Sequence, residues 1–287
     1  MPRFAYVNGR YVRHRDAAVH IEDRGFQFAD GVYEVVAIQN RRPVDQVGHL
    51  DRLDRSLNEL QISWPMSRTA LELVMRTLLQ RNAIVDGIIY LQITRGVAPR
   101  DFRFPKAATP TMVMTTRQMN LSPAGRMENG VNVVTIPDIR WKRRDIKSVA
   151  LLPQALGKQQ AAEAGAFEAW QVDDDGSVTE GCSSNAWIVT QDDVLVTRQA
   201  STRILNGITR LSILRLAEEA GITFEERPFT VEEAQSAKEA FLSSATTYVT
   251  PVTRINEQPV GDGRPGPLAK RLRQAYWAYA SGDNAEV

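Results

Sequence analysis

The sequence predicts a chain of mixed helix and strand, folded as one large or two modest domains. Three observations point there. At 287 residues the chain is long enough to bury a sizeable core in either arrangement. Stretches of strand character, IIYLQITRG and TPTMVMTTRQ, stand beside a stretch with helical apolar spacing, HLDRLDRSLNELQI. The polar stretch MNLSPAGRMENG, with its proline and glycines, then reads as a linker before the second half.

The elements follow in chain order. FAYVNGRYV reads as a hairpin turning at Asn8-Gly9. EDRGFQFADGVYEVVAIQNRRPV reads as a glycine-punctuated loop, a strand from Val32 to Ile38 and a turn. Leu50, Leu53, Leu57 and Leu60 recur at one-turn and two-turn spacing and define an amphipathic helix, with Arg52 between them as a surface ion-pair residue by spacing alone. Ser67 can cap a second helix that runs to about Asn82, and the strand IIYLQITRG enters the loop GVAPRDFRFP.

In the second half, Ile139 and Trp141 alternate with charged residues and suggest a strand, while Pro153 and Gly165 frame a helix. Lys147 then falls at a strand-to-helix transition. On charge alone its surroundings, Lys142, Arg143, Arg144 and Asp145, are a solvated basic run. Downstream, Glu180 precedes the small polar cluster Ser183, Ser184 and Asn185. Gly207 precedes a helix with apolar Ile208, Leu211, Leu214 and Ala217 that stops at Gly221, and Thr230 with Glu233 forms a capping-box pattern.

Composition and motifs exclude several classes. A net charge of +1 argues against a general nucleic-acid or acidic-membrane partner. There is no basic-then-apolar leader pattern, and no stretch approaches the ~18 apolar residues of a spanning helix. The single cysteine, Cys182, agrees with a reducing compartment and is expected to pack as a small residue, so a cytoplasmic protein is expected. His14, His20 and His49 lack metal-like spacing, so no metal is expected. GDGRPG, beginning at Gly261, fits a dinucleotide pattern, but Pro265 and Pro267 interrupt it, and it reads as a turn before a C-terminal helix.

Three groups carry chemistry together. A lysine amine forms Schiff bases with carbonyls, a carboxylate such as Glu180 can keep a pyridine nitrogen protonated, and a glycine-led helix start with Thr209 suits a phosphate. Pyridoxal phosphate requires all three. The blocks EDRGFQFADGVYEV, HLDRL, YLQITRG, DIRWKRRDIKS, TEGCSSN, LNGITR and TTYVTPV occur in the order found in the class IV aminotransferases. The chain resembles these fold-type IV pyridoxal-phosphate enzymes nearly end to end, and the D-amino-acid aminotransferases most.

The resemblance implies a two-domain α+β fold. Residues 1–120 form a small N-terminal domain with the substrate loops, residues 121–287 a larger, β-rich cofactor domain, and pyridoxal 5′-phosphate lies between them in a homodimer. It implies Lys147 as the aldimine-forming residue and base, and Glu180 at the pyridine nitrogen. Arg52, Ile208, Thr209, Ala245 and Thr246 fall around the phosphate, although Ala245 replaces a common threonine. Tyr33 lines the substrate pocket.

The loop is similar to an Arg-x-His trap for the substrate α-carboxylate that is donated across the dimer interface, with Arg100 at the arginine position but Phe102 at the histidine position. Losing that charge-assisted partner costs about 1–3 kcal/mol, and Arg103 compensates only against the alternation that points it away. The expected activity is ping-pong transfer between a D-amino acid and 2-oxoglutarate or pyruvate. The alternatives are an (R)-amine or branched-chain amino-acid transaminase, and an aminodeoxychorismate lyase on the same fold.

Overall fold

The computed structural model describes residues 2–121 and 123–282, and the chain divides into two compact units: Met1–Asn120 with Ile146–Ala150, and Leu121–Asp145 with Leu151–Val287.

In the first unit, strands β1 (Phe4–Val7) and β2 (Arg10–Arg13) form the expected hairpin. Asn8 and Gly9 supply its left-handed turn at φ 43° and 88°. A short helix α1 (Arg24–Phe28) follows, its Gly25 N–H capped by the Asp23 side chain. Then come β3 (Gly31–Gln39), β4 (Arg42–Pro43), α2 (Gln46–Glu59), α3 (Arg68–Arg81), β5 (Gly87–Thr94) and β6 (Thr111–Gln118).

The strands make an antiparallel sheet in the order β2-β1-β6-β5-β3-β4, with β3 and β5 paired from Gly31↔Thr94 to Ile38↔Gly87. The apolar stripe predicted on α2, Leu50, Leu53 and Leu57, packs with Leu71, Met75 and Leu78 of α3 on Val32, Val36, Ile89, Leu91 and Met114. Ser67 caps α3 by accepting from Ala70 N at 3.3 Å. Because a strand alternates its faces, Glu34 is driven into the core between Val32 and Val36, while Tyr33 and Val35 are only half-buried on the other face.

The second unit holds α4 (Ala124–Asn129), β7 (Val131–Pro137), α5 (Leu152–Glu163), β8 (Glu168–Val172), β9 (Val178–Gly181), β10 (Asn185–Val189), β11 (Leu195–Thr197), α6 (Ile208–Glu219), β12 (Phe224–Glu226), α7 (Val231–Gln235), β13 (Glu239–Ser244), β14 (Tyr248–Ile255), β15 (Gln258–Pro259) and α8 (Pro267–Ser281). Its sheet is mixed, in the order β12-β11-β10-β13-β14-β7-β8-β9, with β15 beside β14. Trp170, Ile188, Val196, Phe229, Leu242 and Val252 form its core. The stretch read as a linker contains the helical turns of α4. Thr230 caps α7 as expected, whereas the Glu233 carboxylate goes to Arg227 at 2.6 Å. The GDGRPG stretch is a turn before α8, whose first N–H groups, Leu268 and Ala269, donate to Glu239.

Two expectations are corrected. The strand predicted through Ile139 and Trp141 ends at Pro137. There the Asp138 side chain accepts from Arg140 N at 3.2 Å, which turns the chain and leaves Ile139 and Trp141 exposed. The assignment of 121–287 to one domain also fails at Ile146–Ala150. This segment bridges Val32 through Ser148, Val149 N donates to Gly31 O at 3.0 Å, and Ile146 enters the first unit's core.

Candidate active site

Lys147 is held by its main chain. Its carbonyl accepts from Tyr33 N at 3.0 Å and its N–H donates to Ser56 Oγ at 3.3 Å, while buried Ile146 and Ser148 anchor it on either side. The side chain is left to itself by comparison. Its Nζ lies 4.2 Å from the centroid of the Tyr33 ring, and no carboxylate pairs with it among the described residues. A cation over an aromatic face is steadied without committing its N–H groups. Tyr33 in turn stacks on Tyr90 at 5.7 Å. Burial, then Tyr33, pushes the Tyr90 phenol up to about 12.

Arg52 donates from Nε and Nη2 to the two oxygens of Glu34 at 2.7 and 2.8 Å, and His49 Nδ1 lies 2.8 Å from the same carboxylate. Burial alone would raise the Glu34 pKa, but the Arg52 guanidinium and then His49 overcome it and hold the carboxyl well below its ordinary range. Sequence spacing made Arg52 a surface residue paired with Asp51 or Asp54. Its actual partner is a core glutamate on β3, a pairing the alternation of β3 could have shown.

Arg100 is exposed, and its guanidinium carbon lies 4.6 Å from the centroid of Phe28. Phe102 is 84% exposed and its ring is 5.4 Å from Phe28. Arg103 does not turn toward Arg100; it pairs with Asp101 at 2.6 Å.

In the second unit Glu180 is buried on β9 and held by three donors. It accepts from Arg140 Nη1 at 2.5 Å, from Asn185 Nδ2 at 3.1 Å and from Leu205 N at 3.0 Å. Burial raises its pKa, with Arg140 and the Leu205 N–H opposing. Arg140 also binds Asp138 at 2.7 Å, and Asp138 accepts from Thr179 Oγ1 at 2.7 Å. Arg144 continues the chain of charge, 3.3 Å from both Asp138 and Asp173. The sequence pattern groups Lys142, Arg143 and Arg144 as a basic run, whereas Arg143 pairs with buried Asp145 and Arg144 reaches Asp138 and Asp173. The acidic residues Asp138 and Asp173 nearby were the available signal.

Asn185 ties Glu180 to the start of α6. Its Nδ2 also donates to Leu205 O at 3.0 Å, and its Oδ1 would stand 2.0 Å from any Cβ on Gly207, so glycine is required by close approach. No side chain caps α6, so its first N–H groups stay available, and the buried Thr209 hydroxyl beside them has no partner. Ile208 is buried at the same turn. Through the pairing Asn185↔Ser243, this end of the sheet also reaches the turn after β13. There Ala245 contributes no hydroxyl, and Thr246 Oγ1 lies 3.2 Å from Ser244 Oγ.

Three sets of residues therefore form within single units: Lys147 with Tyr33, Arg100 with Phe28 and Phe102, and Glu180 with the α6 start. A buried carboxylate beside an uncapped helix start and an orphaned hydroxyl can hold an anionic group that also carries a basic nitrogen. Buried Cys182 packs against Gly157 as a small residue, and burial pushes its thiol up to about 12. Among the described residues no cluster could hold a metal ion, and no helix is long and apolar enough to cross a membrane.

The family model described as amino-transferase class IV matches residues 31–255. The chain is 43% identical to a D-alanine aminotransferase of Bacillus licheniformis over 268 residues, 93% of this chain and 94% of the relative. It is 40% identical to a D-alanine aminotransferase of Staphylococcus aureus strain MSSA476 over 275 residues, covering 96% of each. Among solved structures it is similar to the branched-chain amino acid aminotransferase of Escherichia coli, with a TM-score of 0.91 and 25% identity over 100% of this chain and 97% of that one.

Proposed function

The chain belongs to the class IV aminotransferases, and on that premise we propose that this pyridoxal-phosphate-dependent enzyme exchanges the amino group of a D-amino acid with a 2-oxo acid, 2-oxoglutarate or pyruvate. The observation that carries the D-amino-acid reading is the 43% identity to a D-alanine aminotransferase along 93% of the chain.

The residues fit the cofactor. The orphaned Thr209 hydroxyl and the uncapped start of α6 support Thr209 and the Ile208 amide as phosphate holders, with Thr246, the Ala245 main chain and Arg52 completing the set. Glu180, buried and hydrogen-bonded on both oxygens, supports the role of acceptor for a pyridine N–H. When bound, the cofactor supplies a ring that delocalises the electron pair left at the substrate α-carbon. Lys147 Nζ, without an ion-pair partner among the described residues, would be the group that holds the cofactor and, as a free amine, the base positioned for the α-proton. Tyr33 steadies that amine, and Arg100 meets the α-carboxylate. Two half-reactions through one site give ping-pong kinetics.

In this reading a second copy of the chain completes each pocket, a role supported by the exposed Phe26, Phe102 and Phe104 around the Arg100 loop. The lone, buried Cys182 supports a cytoplasmic enzyme. The test is an absorbance-monitored half-reaction with D-alanine, L-alanine and L-leucine and no keto acid. Loss of the cofactor's visible band with D-alanine alone is expected. Loss with L-leucine alone would overturn the D-reading in favour of a branched-chain specificity.

A further inference from the structure

Arg100 is an exposed cation on an irregular loop, and a guanidinium so placed would ordinarily sample many positions before meeting a carboxylate. We propose that Phe28 on α1, assisted by Arg24, is the positioning residue that presents Arg100 to the substrate carboxylate. The proposal rests on the D-amino-acid reading, in which Arg100 meets that carboxylate.

Arg100 has no ion-pair partner among the described residues; its contact is with the Phe28 ring at 4.6 Å. A ring engages the face of a guanidinium and leaves the N–H groups at its edge unspent, and those edges are what a carboxylate binds through two parallel bonds. An acidic partner would have consumed them. The same ring meets Phe102 at 5.4 Å and the Arg24 guanidinium at 4.8 Å.

Arg24 cannot serve as a second substrate cation, because it is 3% exposed and committed on each guanidinium nitrogen. Its Nε donates to Asp30 at 2.7 Å, its Nη1 to Asp101 O at 2.5 Å and its Nη2 toward Phe102 O at 3.5 Å. Asp30 also binds Arg95 at 2.8 Å, and the Arg95 guanidinium lies 3.6 Å from the Phe104 ring centroid. The loop is thus gripped through the side chains of residues 100, 102 and 104 and the main-chain carbonyls of 101 and 102. Holding a binding group in its bound geometry reduces the ordering cost of association. Phe102, at the position where a histidine donor was expected, contributes to the grip what it cannot contribute as a donor.

A double-mutant cycle on the holoenzyme tests this, with steady-state constants for D-alanine and the dissociation constant of acetate as a plain carboxylate probe. Phe28→Leu is expected to raise the KM for D-alanine and the acetate constant roughly 3- to 10-fold, with kcat changed less. Phe28→Tyr is expected to restore both. In an Arg100→Met background Phe28→Leu should add nothing further. Should Phe28→Leu fold poorly by its melting temperature, Phe28→Met carries the same expectation. Equal effects of the substitution with and without Arg100, failure of Phe28→Tyr to rescue, or an unchanged KM would each overturn the proposal. A wild-type enzyme that binds acetate but turns over no D-amino acid would overturn the functional reading and, with it, the assignment of the carboxylate to Arg100.

Discussion

Two buried glutamates, each against an arginine, behave oppositely. Glu34 on β3 receives a two-pronged Arg52 and His49, and its pKa falls. Glu180 on β9 receives Arg140, which it shares with Asp138, and its pKa rises because burial prevails. The first carboxylate is neutralised outright and serves as a fixed counter-ion beneath the face that carries Tyr33. The second retains an appetite for a proton, which is what the acceptor of a protonated ring nitrogen needs. Burial is common to both; the difference is that Glu34 takes two bonds from Arg52 with His49 beside it, whereas Arg140 is divided between Glu180 and Asp138.

The largest expected effect separates both glutamates from the proposed reacting group, Lys147. Lys147→Ala should lower turnover by at least about 10³-fold, the scale of a lost acid–base group, with folding retained by circular dichroism. Full activity in that variant would remove Lys147 from the centre of the site. Next, removing either arginine strands a buried carboxylate. Arg52→Leu and Arg140→Leu should each destabilise the fold by about 3–5 kcal/mol in urea titrations. A much smaller loss for Arg140→Leu would mean that Glu180 is already carried by Asn185 and the Leu205 N–H.

The pH dependence sharpens the contrast. Since the folded pKa of Glu34 is depressed below its ordinary 4.5, its stabilisation is present above about pH 4.5 and fades as pH falls toward the folded value. Glu34→Gln should therefore be less stable than wild type at neutral pH, with the gap closing in acid. Glu180 has the reverse sign, its folded pKa lying above 4.5, so its cost to stability appears as pH rises through that value. The gap between Glu180→Gln and wild type should move toward the variant as pH rises, and the same variant should slow α-proton transfer while keeping the cofactor bound. Parallel pH profiles for the two variants would erase the distinction.

The smallest effect concerns the loop. Phe102→His restores a donor near Arg100 and should improve the KM for D-alanine or D-glutamate about tenfold or less. No change would mean that the side chain at this position does not face the carboxylate.

Much of the local structure was legible in order. The Asn8-Gly9 turn, the leucine stripe of α2, the Ser67 cap and the glycine ends of α5 and α6 follow from periodicity and backbone preference, which act within a few residues. Lys147, Glu180 and Thr209 stood out because amine, carboxylate and anion cradle are chemically distinct residue types. What periodicity misread was the stretch after Pro137, where an aspartate–arginine turn overrode an alternating pattern, and the partners of Arg52 and Arg140, which lie 18 and 40 residues away.

By itself, then, the sequence determined the elements, the reactive residue types and the kinship with class IV aminotransferases. Only the tertiary structure decided that Ile146–Ala150 pairs with β3, that Glu34 and Glu180 titrate in opposite directions, and that a phenylalanine holds Arg100. These depend on which side chains meet after long stretches of intervening chain, and on how much water is excluded when they do.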